Sequence, residues 1–145
     1  MSTKNRTIQL LIVLFSIVLL IQCGGKSTNP DPTRSIKAIW IWKVSVGGIA
    51  GEIRTPETEG YGHILSFNSD STFSREMINT TGFDIYEGSY YIKYEEITFF
   101  SHIDSGYVLY MDNAEPALVT LDGLSLSLAD MCADCFTSGY TRLTE

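Results

Sequence analysis

The sequence predicts an all-β domain, a small antiparallel up-and-down barrel of about eight strands. Three observations point there. Short runs of apolar and polar residues alternate with period two along most of the chain after residue 36. Turn signals separate these runs at close spacing, so most connections are of hairpin length. No segment carries a convincing helical period. An up-and-down barrel suits hairpin connections and leaves no sheet edge open.

The elements follow in chain order. Ile36, Ala38, Trp40, Trp42, Val44 and Val46 share one parity against Lys37, Lys43 and Ser45, the pattern of a half-buried strand. Gly47 and Gly48 end it, and residues 47–60, with four glycines, read as a long loop. His63–Phe67 and Thr72–Met77 flank Asn68-Ser69-Asp70-Ser71 and form a hairpin. Phe83–Ile92 reads as a strand that bends or bulges at Gly88. Tyr94–Ser101 and Gly106–Met111 are expected to pair around a turn at His102-Ile103-Asp104-Ser105. Ala117–Leu121 turns at Asp122-Gly123 into Leu124–Leu128, where the alternation is strict, and Tyr140–Leu143 closes the chain.

Ahead of this domain lies an address. Lys4 and Arg6 precede a run from Ile8 to Ile21 in which Gln9 and Ser16 are the polar interruptions. That run is shorter than the roughly 20 residues of a spanning helix and matches the apolar stretch of a signal peptide over residues 1–22. Leu20-Ile21-Gln22-Cys23-Gly24 resembles the lipobox of bacterial lipoproteins, with Gln22 where a small residue is usual. The resemblance implies cleavage before Cys23 and acyl chains on that cysteine, the chain's contact with a membrane. Two or three acyl chains hold a protein stably on a bilayer, whereas one is marginal. The alternative is an uncleaved anchor with Cys23 a bystander. Gly24 in place of Asp resembles lipoproteins passed on to an outer membrane, which places the protein in the cell envelope. Residues 23–35, rich in Gly, Ser, Thr, Asn and Pro, read as the lipidated cysteine and a flexible tether, and residues 36–145 as the domain.

The domain has motifs of its own. Ala38-Ile39-Trp40-Ile41-Trp42 opens it with a tryptophan strand. Leu65-Ser66-Phe67-Asn68-Ser69-Asp70-Ser71-Thr72-Phe73 is similar to an L-x-F-x-x-D-G-T-F hairpin with Ser71 in place of Gly. Glu87-Gly88-Ser89-Tyr90, Leu124-Ser125-Leu126 and Tyr140-Thr141-Arg142 follow in order. Together these resemble the lipocalin-like domains of small bacterial lipoproteins, although Ala38 stands where the strict G-x-W motif has Gly. The resemblance implies a barrel with an apolar cavity and no catalysis. It also implies that Arg142, on the last strand, lies across Trp40 and closes one end. Trp40, Trp42 and Arg142 are therefore the candidates for barrel closure or for lining a cavity, with plain core packing the alternative for the tryptophans.

Other residues carry reactive side chains. Cys132 and Cys135 belong to an exported chain, so a local disulfide is the leading expectation, with free thiols or metal and redox chemistry as alternatives. Zinc usually takes four ligands, and a second cysteine pair is missing; His63 and His102 fall in separate hairpins. Ser101-His102-Ile103-Asp104-Ser105 holds the residue types of a catalytic triad, but neighbours in a strand point to opposite faces, and a polar turn is the expectation. Glu95 and Glu96 oppose each other for the same reason. Asn68-Ser69-Asp70 and Asp112-Asn113-Ala114-Glu115 read as turns, not calcium loops.

Composition limits the function. The chain of 145 residues is 44% hydrophobic, too apolar for disorder, and carries net charge −7. Removing residues 1–22 takes away Lys4 and Arg6 and leaves −9, which argues against nucleic acid as a partner. The leading expectation is a membrane-anchored lipoprotein that binds a small apolar ligand or an envelope partner, is no enzyme, and needs no metal or cofactor. The alternative is a structural or accessory envelope lipoprotein with a solid-packed barrel. A sealed apolar interior would favour the second, an open mouth with convergent polar groups the first.

Overall fold

The structure, a computed structural model, describes residues 31–99, 102–132 and 134–144. The expected signal peptide and Cys23 lie outside the described residues. Among the described residues nine strands form one antiparallel sheet. They are β1 (Ile39–Gly47), β2 (Glu52–Arg54), β3 (Tyr61–Phe67), β4 (Thr72–Asn79), β5 (Gly82–Phe99), β6 (His102–Met111), β7 (Ala117–Asp122), β8 (Ser125–Asp130) and β9 (Phe136–Arg142). From β3 to β9 each strand pairs with the next, and β1 pairs with both β3 and β9, so eight strands close into a barrel with β2 as an extra strand on β1. The all-β, up-and-down barrel expected from the turn spacing is the architecture found. Closure satisfies the backbone groups that an edge would leave open.

Several elements differ from their sequence reading. The register of β1 against β9 shifts between Trp42 and Val44, a bulge at Lys43. An inserted residue reverses the parity beyond it. Ser45 is therefore buried while Val46 is exposed, opposite to the expected alternation. Residues 47–60 hold β2 and a helical turn, α2 (Pro56–Glu59); a turn of the same length, α1 (Pro32–Ser35), falls within the expected tether. Thr55 caps α2 in a reciprocal pair with Thr58, and Gly60 ends it at φ 71°. The two strands expected at Phe83–Ile92 and Tyr94–Ser101 are the single strand β5, with no break in register at Gly88. Instead β5 changes partner, pairing with β4 through Ser89 and with β6 from Tyr90. The residues expected to turn at 102–105 are strand, because pairing runs out to Phe99 opposite His102.

The core runs along the inside of the barrel as one cluster, from the plugged end to Trp42, Met111, Ala117 and Tyr140 near the other. Ile36, Trp40, Leu65, Phe67, Phe73, Leu109, Leu121 and Leu126 are buried in it. The chain before β1 folds over the plugged end: α1 touches β7, and Ile36 is fully buried. The Trp40 indole N–H donates to the Ile36 carbonyl at 2.7 Å, so the plug is tied to the first strand by a buried hydrogen bond. At the same end the Asn68–Ser71 turn closes on Thr72 through the Asp70 carboxylate, which accepts from its N–H at 3.1 Å. Tyr90 donates to the Asn68 carbonyl at 3.0 Å.

Candidate functional site

The opposite end is the mouth, framed by the end of β1, the β4–β5 hairpin, the turn joining β6 and β7, and the segment joining β8 and β9. Here the inward positions change character. Leu65 pairs with Arg75, and His63 with Met77, so His63 and Arg75 share the inner face with the buried Leu65. Trp42, Tyr140 and Asp130 face the same space from β1, β9 and β8, as their register with inward neighbours requires.

The Trp42 indole N–H donates to the Ser45 hydroxyl at 2.9 Å, and Ser45 meets the Ser138 hydroxyl at 2.8 Å. The bulge at Lys43 turns Ser45 inward and makes this network. Tyr61 stacks on Trp42 with centroids 5.7 Å apart. His63 lies between the Trp42 ring, at 4.7 Å, and the edge of Tyr140, at 5.5 Å. Burial, aided by the Arg75 charge, lowers the His63 pKa to about 4, so the ring is neutral at physiological pH. Burial pushes Tyr140 up to about 12. Partial burial also raises the Asp130 carboxyl. His63 Nδ1 and Arg75 Nε are buried and have no hydrogen-bond partner.

A cavity of about 660 Å³ opens at this mouth. Its walls are the 113–116 turn, Asp130 and Met131, the cysteine pair, Tyr110 and Arg75. A recess of about 370 Å³ shares Arg75, Asn113 and Ala114 and runs under the β4–β5 hairpin. Asp112 supports the turn by accepting from the Ser89 N–H at 2.7 Å, and Tyr86 donates to the Asp112 carbonyl at 3.0 Å. Cys132 and Cys135 are joined in a disulfide, with Cα atoms 5.3 Å apart. Their loop packs on the end of β1, where a Cβ at Gly47 would stand 2.6 Å from the Phe136 Cα. Only glycine permits that approach.

The sequence candidates thus divide between the two ends. Trp40 is in the plug and Trp42 at the mouth. Arg142 pairs with Trp40 in the β1–β9 register and is partly buried. Among the described residues the cation placed over a ring is Arg54, 4.1 Å from the Phe136 centroid. The cysteine pair lines the mouth. Among the described residues no three His, Cys, Asp or Glu side chains gather as a metal ion would require. Arg75 was not singled out from sequence. Its signal was present: it shares parity with Phe73 and Met77, and a charged residue on a core parity is unusual. Comparison of the chain with protein-family models, curated proteins and solved structures finds no match.

Proposed function

We propose that this chain is a bacterial lipoprotein, acylated at Cys23 and held in the cell envelope at the outer membrane. Its lipocalin-like barrel binds a small apolar ligand, without transforming it. The observation that carries the reading is the cavity at the end of the barrel opposite the plug, on which Arg75, Tyr110, Glu115 and Asp130 converge. That arrangement speaks against the alternative of a solid-packed accessory barrel. Binding without catalysis fits the state of the reactive groups: Ser45 is engaged by Trp42 and Ser138, and the two cysteines by each other.

Native mass spectrometry of the full protein, extracted from the membranes of its own host, tests the binding. A co-purified small molecule, lost on denaturation, is the expected result; a bare chain under gentle extraction would favour the accessory barrel. Anchoring has a separate test. Cys23→Ser is expected to abolish palmitate labelling and release the protein from the membrane fraction. A variant that keeps the label contradicts the assignment.

A further inference from the structure

We propose that the mouth selects a monoanionic organic acid, a carboxylate on a compact apolar body, and that Arg75 holds the carboxylate. The inference rests on the mouth being a binding site, and deepens that reading by assigning the ligand's charge and the residue that reads it.

Arg75 is the reason. Its place opposite Leu65 turns it into the barrel, where Nε is buried and makes no hydrogen bond. Among the described residues the ion pairs are Arg54 with Glu52 and Lys93 with Glu95; Arg75 forms none, although its charge acts on the nearby Asp130. A guanidinium stays charged in a protein, and burying one of its donors unpaired is unfavourable. A ligand carboxylate removes that penalty, because its two oxygens match the fork of the guanidinium. His63 contributes a second buried, unpartnered nitrogen on the neighbouring strand, next to Arg75 on the same inner face. Its ring is neutral and adds no second positive charge beside Arg75, although His63 itself lines a separate recess.

The acidic groups set the limit. Asp130 and Glu115 also line the cavity, and Tyr110 and Tyr140 are the phenols near it. Asp130 and Glu115 are exposed at the rim, and Asp130, partly desolvated, feels the Arg75 charge; neither forms an ion pair with it, so the buried Nε still lacks a partner. Their charge disfavours a dianion and leaves room for one negative charge at Arg75. Ala114, Pro116 and Met131 offer apolar contact to the rest of the ligand.

The test compares three probes of one shape and different charge: naphthoate, its neutral amide naphthamide, and naphthylmethylamine. The full lipidated protein is placed in lipid nanodiscs, and binding is read by equilibrium dialysis against empty nanodiscs. Naphthoate is expected to bind roughly tenfold to a hundredfold more tightly than naphthamide, the range for a hydrogen bond to a charged group. Arg75→Met is expected to erase that preference, so that acid and amide bind with equal affinity. Circular dichroism supplies the second readout. Without ligand, Arg75→Met should melt no lower than the parent, because it removes an unpaired buried donor; naphthoate should raise the melting temperature of the parent alone. Equal binding of acid and amide, a preference for the amine, or a large fall in the melting temperature of the unliganded variant would overturn the role of Arg75 while sparing the mouth as a site. Failure of all three probes to bind would overturn both readings.

Discussion

Trp40 and Trp42 lie two residues apart on one strand, point into one barrel, and belong to different regions. Trp40 donates to a main-chain carbonyl of the plug and is surrounded by aliphatic and aromatic core. Trp42 donates to a serine hydroxyl and shares its space with His63, Tyr61 and Tyr140. The difference teaches how a small barrel divides its labour. At the closed end the chain entering β1 completes the packing, and the same core continues past Trp42 to Tyr140 before polar groups take over. The mouth gives up packing for polar groups that the fold does not fully satisfy. Unsatisfied buried side-chain atoms are rare in stable interiors, and among the described residues the two found, on His63 and Arg75, lie in the mouth half.

That contrast can be broken most directly at Trp40. Trp40→Ala is expected to cost about 3–5 kcal/mol in urea unfolding, the range for deleting a large buried aromatic. A cost below about 1 kcal/mol, small for a core truncation, would mean that the closed end does not carry the fold. At the mouth, replacing Cys132 and Cys135 by serine should cost at most about 2 kcal/mol, because so short a loop removes little entropy from the unfolded chain. A loss as large as that of Trp40→Ala would erase the distinction between the ends.

The mouth should also be the pH-sensitive region. His63 has a folded pKa of about 4, below its ordinary value of 6.5, so the unfolded chain takes up the proton first as pH falls. Its contribution is fully present above about pH 6.5 and is lost as pH falls toward 4, a change of about 1–2 kcal/mol once solvent screening of a partly exposed ring is allowed for. The urea midpoint should fall across that interval, and His63→Gln should flatten the fall. An unchanged pH profile in the variant would remove His63 as the cause.

The smallest effect sharpens the contrast from the closed end. Ser71 has φ 67°, a conformation in which glycine is at ease and serine is not. Ser71→Gly is expected to stabilise by about 0.5–1 kcal/mol, the relief of left-handed strain less the greater freedom of unfolded glycine. Chemical denaturation of the two proteins side by side reads the difference. A destabilised variant would show that the serine side chain contributes more to the turn than its backbone costs.

Much of this molecule was legible as pattern. The alternation in β7 and β8, the Asn68–Ser71 turn and the nearness of Cys132 to Cys135 depend on residues close in sequence, and each forms where the pattern put it. The departure of Ser71 from the expected glycine was visible as well, and its positive φ explains why glycine would suit that turn. Errors came where distant strands decide. The bulge at Lys43 exists because β1 must match β9, which begins nearly ninety residues later, and no local signal announces it. The length of β5 depends on its having β4 beside one half and β6 beside the other.

The site follows the same division. Period-two alternation and turn chemistry were sufficient for an all-β, up-and-down barrel, because both are properties of neighbouring residues. They also put Arg75 on the parity of Phe73 and His63 on that of Leu65. Alternation says which side of a strand a residue takes, but not how far along the barrel axis it lies. Closure of β1 on β9 and the stagger of the strands set that height, and height separates a side chain at the plugged end from one at the mouth. Only the tertiary structure could therefore bring His63, Arg75 and Tyr140 to one mouth and leave Trp40 in the plug.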